Sequence, residues 1–451
     1  MKVLLISILK EPKNLQKEIH PLDVVSSQPS SVKSLSNYTF VAQHESLVSE
    51  GHETKTILLA PASLSYLIED NINSFKELEE KLTTTLRSSI PENIQIFITP
   101  GVGSEYSKNG IEHKHIGGPG NILYFAFYYI RNVINDFKPD TVLLDISNSD
   151  NILSTLALDA TQTAIIDYLT QNEENNKVSI IVTSLINEEM RVLNKQTLEA
   201  GQLDLHNYFI REFKLMNPLR QDVKQLSAVG KTELNRIGIL LDLGLIIPLL
   251  YELSNFYPSK MYSPEDFIDL VYKNIKIERK EEEKRIIFDY GLELLEGVPY
   301  YIVGRDFLIK YRKGEGEEKG KYSIDDIKRL LRFLHKGTRY VIEGKLTEIK
   351  QLINLLSTHG ITEGRTTLYN LRSIGNMSTI EFHRPNAIRR ITYLLKSRQE
   401  CDDIDAEQFL SNLGFLENIL EIEFEKDSIK LGYIQDCIDN IFNIIKEFLP
   451  S

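Results

Sequence analysis

Apolar and polar positions along the chain alternate in two rhythms. Largely apolar runs at Lys2 to Leu9, Lys55 to Ala60, Ile94 to Thr99, Thr141 to Ile146 and Val178 to Leu185 predict β-strands, the one from Thr141 rich enough in Val, Leu and Ile to be buried on both faces. Between them, helical spacing predicts helices over Tyr38 to Glu50, Asn73 to Ser89, Ile122 to Phe137 and Ile152 to Leu169, with Leu78, Leu82 and Leu86 on one face of the second. A polar, serine-rich loop covers Ser26 to Ser36. Strands that alternate with helices in this way predict a doubly wound α/β domain with a parallel sheet.

Beyond Asn187 the strand rhythm fades. Asn207 to Asn217 and Thr232 to Phe256 read as helices, the second with Ile237, Leu240, Leu241, Leu245 and Leu249 facing a core and a kink expected at Pro248. Ser263 to Arg285 reads as a helix ending in the charge run ERKEEEKR, expected to be a solvated face. Ile286 to Leu308 fits neither rhythm, and Lys310 to Lys321 is a Gly/Lys/Glu loop. Helices follow at Ile324 to His335, Lys345 to Leu356 and Pro385 to Ser397, then a hairpin of Leu420 to Phe424 with Ile429 to Tyr433, and a last helix from Ile434 to Leu449. The expected organisation is therefore an α/β domain over 1–190, a helical connector and insertion over 191–320, and a mainly α-helical domain over 321–451.

Composition narrows the function. At 451 residues the chain exceeds one ordinary core, and its formal charge of −12 argues against a broad nucleic-acid surface while leaving room for a local basic groove. The spacing of Cys401 and Cys437 suggests neither a zinc knuckle nor a disulfide framework, which fits a reducing cytoplasm. No apolar run approaches membrane-spanning length.

Candidate chemistry gathers where the strands end. The turn Ser147-Asn148-Ser149-Asp150-Asn151 follows the strand from Thr141, at the carboxyl edge of a parallel sheet, where helix N–H groups and small polar residues suit an anionic or hydroxyl-rich ligand. Simple capping of the next helix by Ser149, Asp150 or Asn151 explains the same residues. Ala60, Ser63, Gly101, Val102, Gly103, Thr183 and Ser184 follow the other parallel strands and are expected on the same edge. Gly101-Val102-Gly103 lacks both the third glycine of the dinucleotide fingerprint and a Walker lysine. His113 and His115 read as loop residues beside Glu112, too few for a metal site, and no metal is expected.

The strand-turn Leu144-Asp145-Ile146-Ser147-Asn148-Ser149 resembles the Asp-x-Thr-His-Gly signature of CRISPR-associated CARF-HEPN proteins of the DxTHG type. Thr99 to Gly103 and the apolar helix before Asp145 sit where that family has comparable elements, and Phe409 to Asn418 with the hairpin and helix behind it resembles the end of its HEPN domain. The resemblance implies a Rossmann-like CARF sensor for cyclic oligoadenylate made by type III CRISPR complexes, followed by a helical HEPN endoribonuclease that cuts single-stranded RNA across a dimer. Only Asp145 matches the signature fully; Ser147, Asn148 and Ser149 stand for Thr, His and Gly, with hydrogen-bonding capacity kept at the first two. The family's nuclease motif is Arg, a short spacer and His, and the aligned residues here are Glu407 and Asn412. Metal-independent cleavage needs a proton acceptor and a cation, which Glu and Asn do not supply.

Other placements of that pair are Arg329 with His335, roughly 120° apart on a helix, and the basic cluster of His383, Arg384, Arg389 and Arg390; Arg372 has Met377 where His would fall. What the resemblance implies is a cytoplasmic homodimer or higher homo-oligomer without cofactor, activated by cyclic tetra-adenylate lying across a twofold axis, with a degenerate nuclease site. The alternative is an active endoribonuclease using Arg329 and His335 or His383. A nucleotide-dependent enzyme of another class also fits a sheet of this kind.

Overall fold

The computed structural model describes residues 1–10, 17–31, 33–68, 72–173, 177–200, 216–218, 231–256, 261–312, 320–376, 404–425 and 428–447. The chain divides into two compact units, of 1–200 with 212–229 and 260–307, and of 201–211 with 230–259 and 308–451. The stretch 191–320, expected as a connector, is thus shared out between them.

The first unit is built on strands β1 (Lys2–Ile8), β2 (Glu53–Pro61), β3 (Ile94–Thr99), β6 (Thr141–Asp145), β7 (Lys177–Ile186) and β8 (Glu189–Glu199), with β4 (Gly103–Tyr106) and β5 (Glu112–Ile116) between β3 and β6 in sequence. The six form one sheet in the order β8-β7-β6-β1-β2-β3. All neighbours are parallel except β8, which returns antiparallel to β7 through Asn187 and Glu188, both at positive φ. Two successive left-handed residues form the tight turn that matches strand twist. In β1 every residue from Val3 to Ile8 is buried, and so is all of β6, as expected for central strands covered on both faces. The covering helices α1 (Thr39–Ser49), α2 (Phe75–Arg87), α3 (Pro119–Phe137) and α4 (Asn151–Gln171) lie close to their predicted positions.

The charge run departs from its prediction. The helix from Ser263 stops at Asn274, and ERKEEEKR forms a β-hairpin of β9 (Lys276–Lys280) and β10 (Arg285–Asp289). β10 pairs in parallel with β5, giving a second sheet in the order β9-β10-β5-β4. Ile286 and Phe288 alternate into its core, a period of two that the surrounding charges hide. Met216 and Asn217, expected as the end of a helix, instead join Pro218 in a strand that pairs with Leu292–Leu294; the rest of that predicted helix lies outside the described residues.

The second unit is helix-rich, with helices at Lys231–Asp242, Ile246–Asn255, Ile324–Leu331, Lys336–Thr358, Leu368–Gly375, Ala406–Ser411 and Ile438–Glu447. Its hairpin forms as expected, but as part of a four-stranded antiparallel sheet of β11 (Lys321–Ser323), β12 (Glu363–Thr367), β13 (Leu420–Glu425) and β14 (Ser428–Tyr433), ordered β11-β14-β13-β12. The predicted long helix from Thr232 breaks at Gly244, at φ +68, rather than bending at Pro248, which sits in the first turn of the next helix where its missing N–H costs nothing. Cys437 is buried and disulfide-bonded, which the cysteine spacing did not suggest; Cys401 and the predicted helix Pro385 to Ser397 lie outside the described residues. Among the described residues no helix is long and apolar enough to cross a membrane.

Candidate functional site

The chain leaves β1 towards β2 on one side of the sheet and later places β6 on the other, so the order of strands reverses between β1 and β6. Carboxyl ends of strands at such a switch point flank the crevice where doubly wound proteins hold ligands. Ser7 and Asp145 face each other across it in register, and the first residue of α1, Thr39, closes over them.

Asp145 is 0 % exposed and works as the anchor of this corner. Its carboxylate accepts from Thr39 Oγ1 at 2.5 Å, from Ser7 Oγ at 3.5 Å, from the Ser147 amide at 2.9 Å and from the Ser147 hydroxyl. Ser147 Oγ in turn accepts from the Leu185 amide at 2.9 Å, tying the turn to β7. Asp145 thus holds the path of the turn after β6 through these bonds. It lines neither the cavity of about 540 Å³ at Lys17, Glu18 and the β7–β8 turn nor the larger one against the second sheet.

Asn148 sits one layer out. Its side-chain amide donates to Thr39 Oγ1 at 2.9 Å, and its carbonyl accepts from the Lys10 amide at 2.8 Å. The residue is 6 % exposed, and its Oδ1 has no hydrogen-bond partner among the described residues, which is uncommon for a buried acceptor, although the Asn37 Oδ1 shares it. Lys10 Nζ lies 3.7 Å from Asp150, which caps α4 by accepting from the Leu153 amide at 2.8 Å. The capping expected of this turn is therefore present, by Asp150 alone. Ser149 is half-buried and receives the Ser154 hydroxyl at 3.0 Å, and Asn151 is exposed on the first turn of α4. The N-terminus of α1 carries no side-chain cap bond and no acidic residue in its first turn.

The other predicted edge residues divide. Thr183 is buried with its carbonyl accepting from the Ile146 amide, Ser184 is half-buried, and Ala60 is inside β2. Gly101 is buried where a Cβ would meet the Ser63 amide nitrogen at 2.4 Å, so only glycine lets the loops after β2 and β3 approach so closely. Val102 and Gly103 are exposed. Sequence reasoning missed Ser7, Lys10 and Thr39; the facing positions of two parallel strands become visible only with the register.

It also misplaced His113 and His115, which lie on β5, not in a loop, and are buried. Ser65 Oγ bridges them, 3.0 Å from His113 Nδ1 and 3.0 Å from His115 Nε2; His115 Nδ1 lies 3.2 Å from the Tyr290 hydroxyl, which accepts from the Gly101 amide at 2.9 Å. Burial pushes His113 down to about 4, with the Arg279 charge adding to it, and His115 down to about 3, so both rings are neutral near pH 7. Among the described residues no group of three His, Cys, Asp or Glu could hold a metal ion.

In the second unit, Arg329 is exposed with its guanidinium over the Tyr311 ring at 5.5 Å, and His335 caps a helix by accepting from the Gly337 amide at 3.4 Å. Glu407 is exposed in the first turn of Ala406–Ser411, and the Asn412 amide donates to the Gln408 carbonyl at 2.9 Å. Arg372 is held by Glu348 at 2.6 Å and by Glu417. His383, Arg384, Arg389 and Arg390 lie outside the described residues.

A doubly wound sheet whose strands are all parallel except the last is Rossmann-like. Residues 4–189 match the family model described as CRISPR system endoribonuclease Csx1, CARF domain. That match supports a CRISPR CARF-domain protein and covers the sheet from β1 to the start of β8. No curated protein matches the chain.

Proposed function

We propose that the chain is a type III CRISPR accessory protein whose first unit binds a cyclic oligoadenylate, cyclic tetra-adenylate as the activating ligand, at the carboxyl edge of its sheet as a homodimer. The observation that carries this is the buried, unpartnered Asn148 Oδ1 at the switch point of a domain that matches a CARF model. An adenine amino group or ribose hydroxyl supplies the missing donor, and the free amides at the start of α1 with Lys10 suit the phosphates. Two such corners across a twofold axis match a ring of repeated nucleotides. Asp145 serves as a positioning residue, and contact with the ligand falls to Asn148, Ser149, Asn151 and Ser184.

The helix-rich unit, in this reading, is HEPN-like with a nuclease site that has lost its pair. An exposed Glu407 repels phosphate, and Asn412 does not take a proton near neutral pH. Single-stranded RNA would then be bound or left untouched. Titration calorimetry with cyclic tri-, tetra- and hexa-adenylate tests the first half: heat is expected with the tetramer, weakened about tenfold in Asn148→Ala. Absence of heat with every ring size overturns it. RNA incubated with protein, EDTA and cyclic tetra-adenylate tests the second half: it should stay intact, and cleavage lost in His335→Ala or His383→Ala would restore the endoribonuclease.

A further inference from the structure

A cavity of about 650 Å³ opens between the turn after β2, the end of α2, the β4–β5 turn and the β9–β10 hairpin, within the size range of small-molecule sites. It shares no residue with the switch-point crevice. Its rim carries Lys108, Arg279 and Lys284, none of which has a carboxylate in ion-pair reach among the described residues, whereas neighbouring Arg285 is taken by Glu112 and Glu283. Even with Glu281 on the same lining, these three cations leave the hollow with an excess of positive charge in a chain of net charge −12. They repel each other until an anion enters. Tyr66 and Tyr106 offer aromatic faces, and the floor of Leu67, Leu86 and Ile286 is apolar.

His113 forms the inner wall and is 2 % exposed. Its tautomer follows from the hydrogen-bond chain behind it. The Gly101 amide can only donate, so the Tyr290 hydroxyl gives its proton to His115 Nδ1; His115 Nε2–H then donates to Ser65 Oγ, and Ser65 donates to His113 Nδ1. Run the other way, the buried Tyr290 hydroxyl would have no acceptor. His113 is therefore left with an Nε2–H that has no partner among the described residues and lines the cavity.

We propose that this cavity is a second ligand site that takes a nucleotide, its phosphates on Arg279, Lys284 and Lys108 and its base against the tyrosines and the His113 Nε2–H. No part of this depends on cyclic oligoadenylate binding at the sheet edge. Calorimetric titrations of the full chain with ATP and AMP, in protein saturated with cyclic tetra-adenylate and in protein without it, test it. Binding of at least one nucleotide is expected, equal in both, with adenosine and inorganic pyrophosphate each at least tenfold weaker. Arg279→Glu with Lys284→Glu, both in an exposed hairpin, should weaken it at least tenfold while the melting temperature and the cyclic tetra-adenylate heat stay unchanged. No binding by either nucleotide, unaltered affinity in the double variant, or displacement by cyclic tetra-adenylate would each overturn the proposal.

Discussion

Two buried aspartates in the first unit solve one problem differently. Asp145 is met by hydroxyls and a backbone amide at the mouth of the sheet, and its bonds decide the path of a loop. Asp167, on α4, faces Arg131 of α3 at 2.6 Å, and the same guanidinium reaches Asp306, which also pairs with Arg305 at 2.5 Å. Burial pushes the Asp167 carboxyl up to about 7, the Asp306 charge adds to it and Arg131 opposes it. Small donors fix the path of a single turn, whereas a guanidinium between two carboxylates clamps segments far apart in sequence.

Removing the clamp should cost most. Arg131→Met leaves Asp167 buried without its cation and Asp306 with Arg305 alone, and is expected to lower unfolding free energy by about 3 to 5 kcal/mol in urea titrations; a loss under 1 kcal/mol would erase the contrast. Asp145→Ala strands the donors of Ser7, Thr39 and Ser147 and should cost about 2 to 3 kcal/mol, together with the Asn148-dependent heat of cyclic tetra-adenylate. Thr39→Val removes one donor to Asp145 and the acceptor of the Asn148 amide, for about 1 to 2 kcal/mol. The mildest test uses a third carboxyl. Glu79 lies 2.8 Å from the Tyr272 hydroxyl, and burial pushes it up to about 7. Because the unfolded chain loses this proton near pH 4.5 and the folded one near 7, its contribution to stability falls as pH rises across that window. Glu79→Gln should therefore gain melting temperature relative to the parent between pH 5 and 7, and a constant difference would assign Glu79 an ordinary pKa.

The strands of the main sheet were legible because central parallel strands must be apolar on both faces, and β1 and β6 are buried along nearly their whole length. The second sheet was not. Its strands β5 and β10 come from segments well separated in sequence, so neither Glu112 to Ile116 nor Arg285 to Asp289 carries a local sign of the other. The run from Glu278 to Arg285 reads as a helix face because its charges mask the alternation of Ile286 and Phe288. The strand-to-helix junction at the turn after β6, with Asn148 and its capping residue Asp150, was legible from the apolar run followed by small polar residues. The inward role of Asp145 was not, since a carboxylate at a strand end looks the same in sequence whether it greets a ligand or fastens a helix.

The parallel pairing of β5 with β10 bears on how the protein is to be handled. A fragment trimmed where the CARF match stops, at residue 189, would strip β5 of its neighbour, Gly101 of its tyrosine and Arg131 of Asp306. Such a piece presents a bare apolar ledge and should clump on expression. A version that keeps these neighbours has to extend through the helix Gly297–Tyr311.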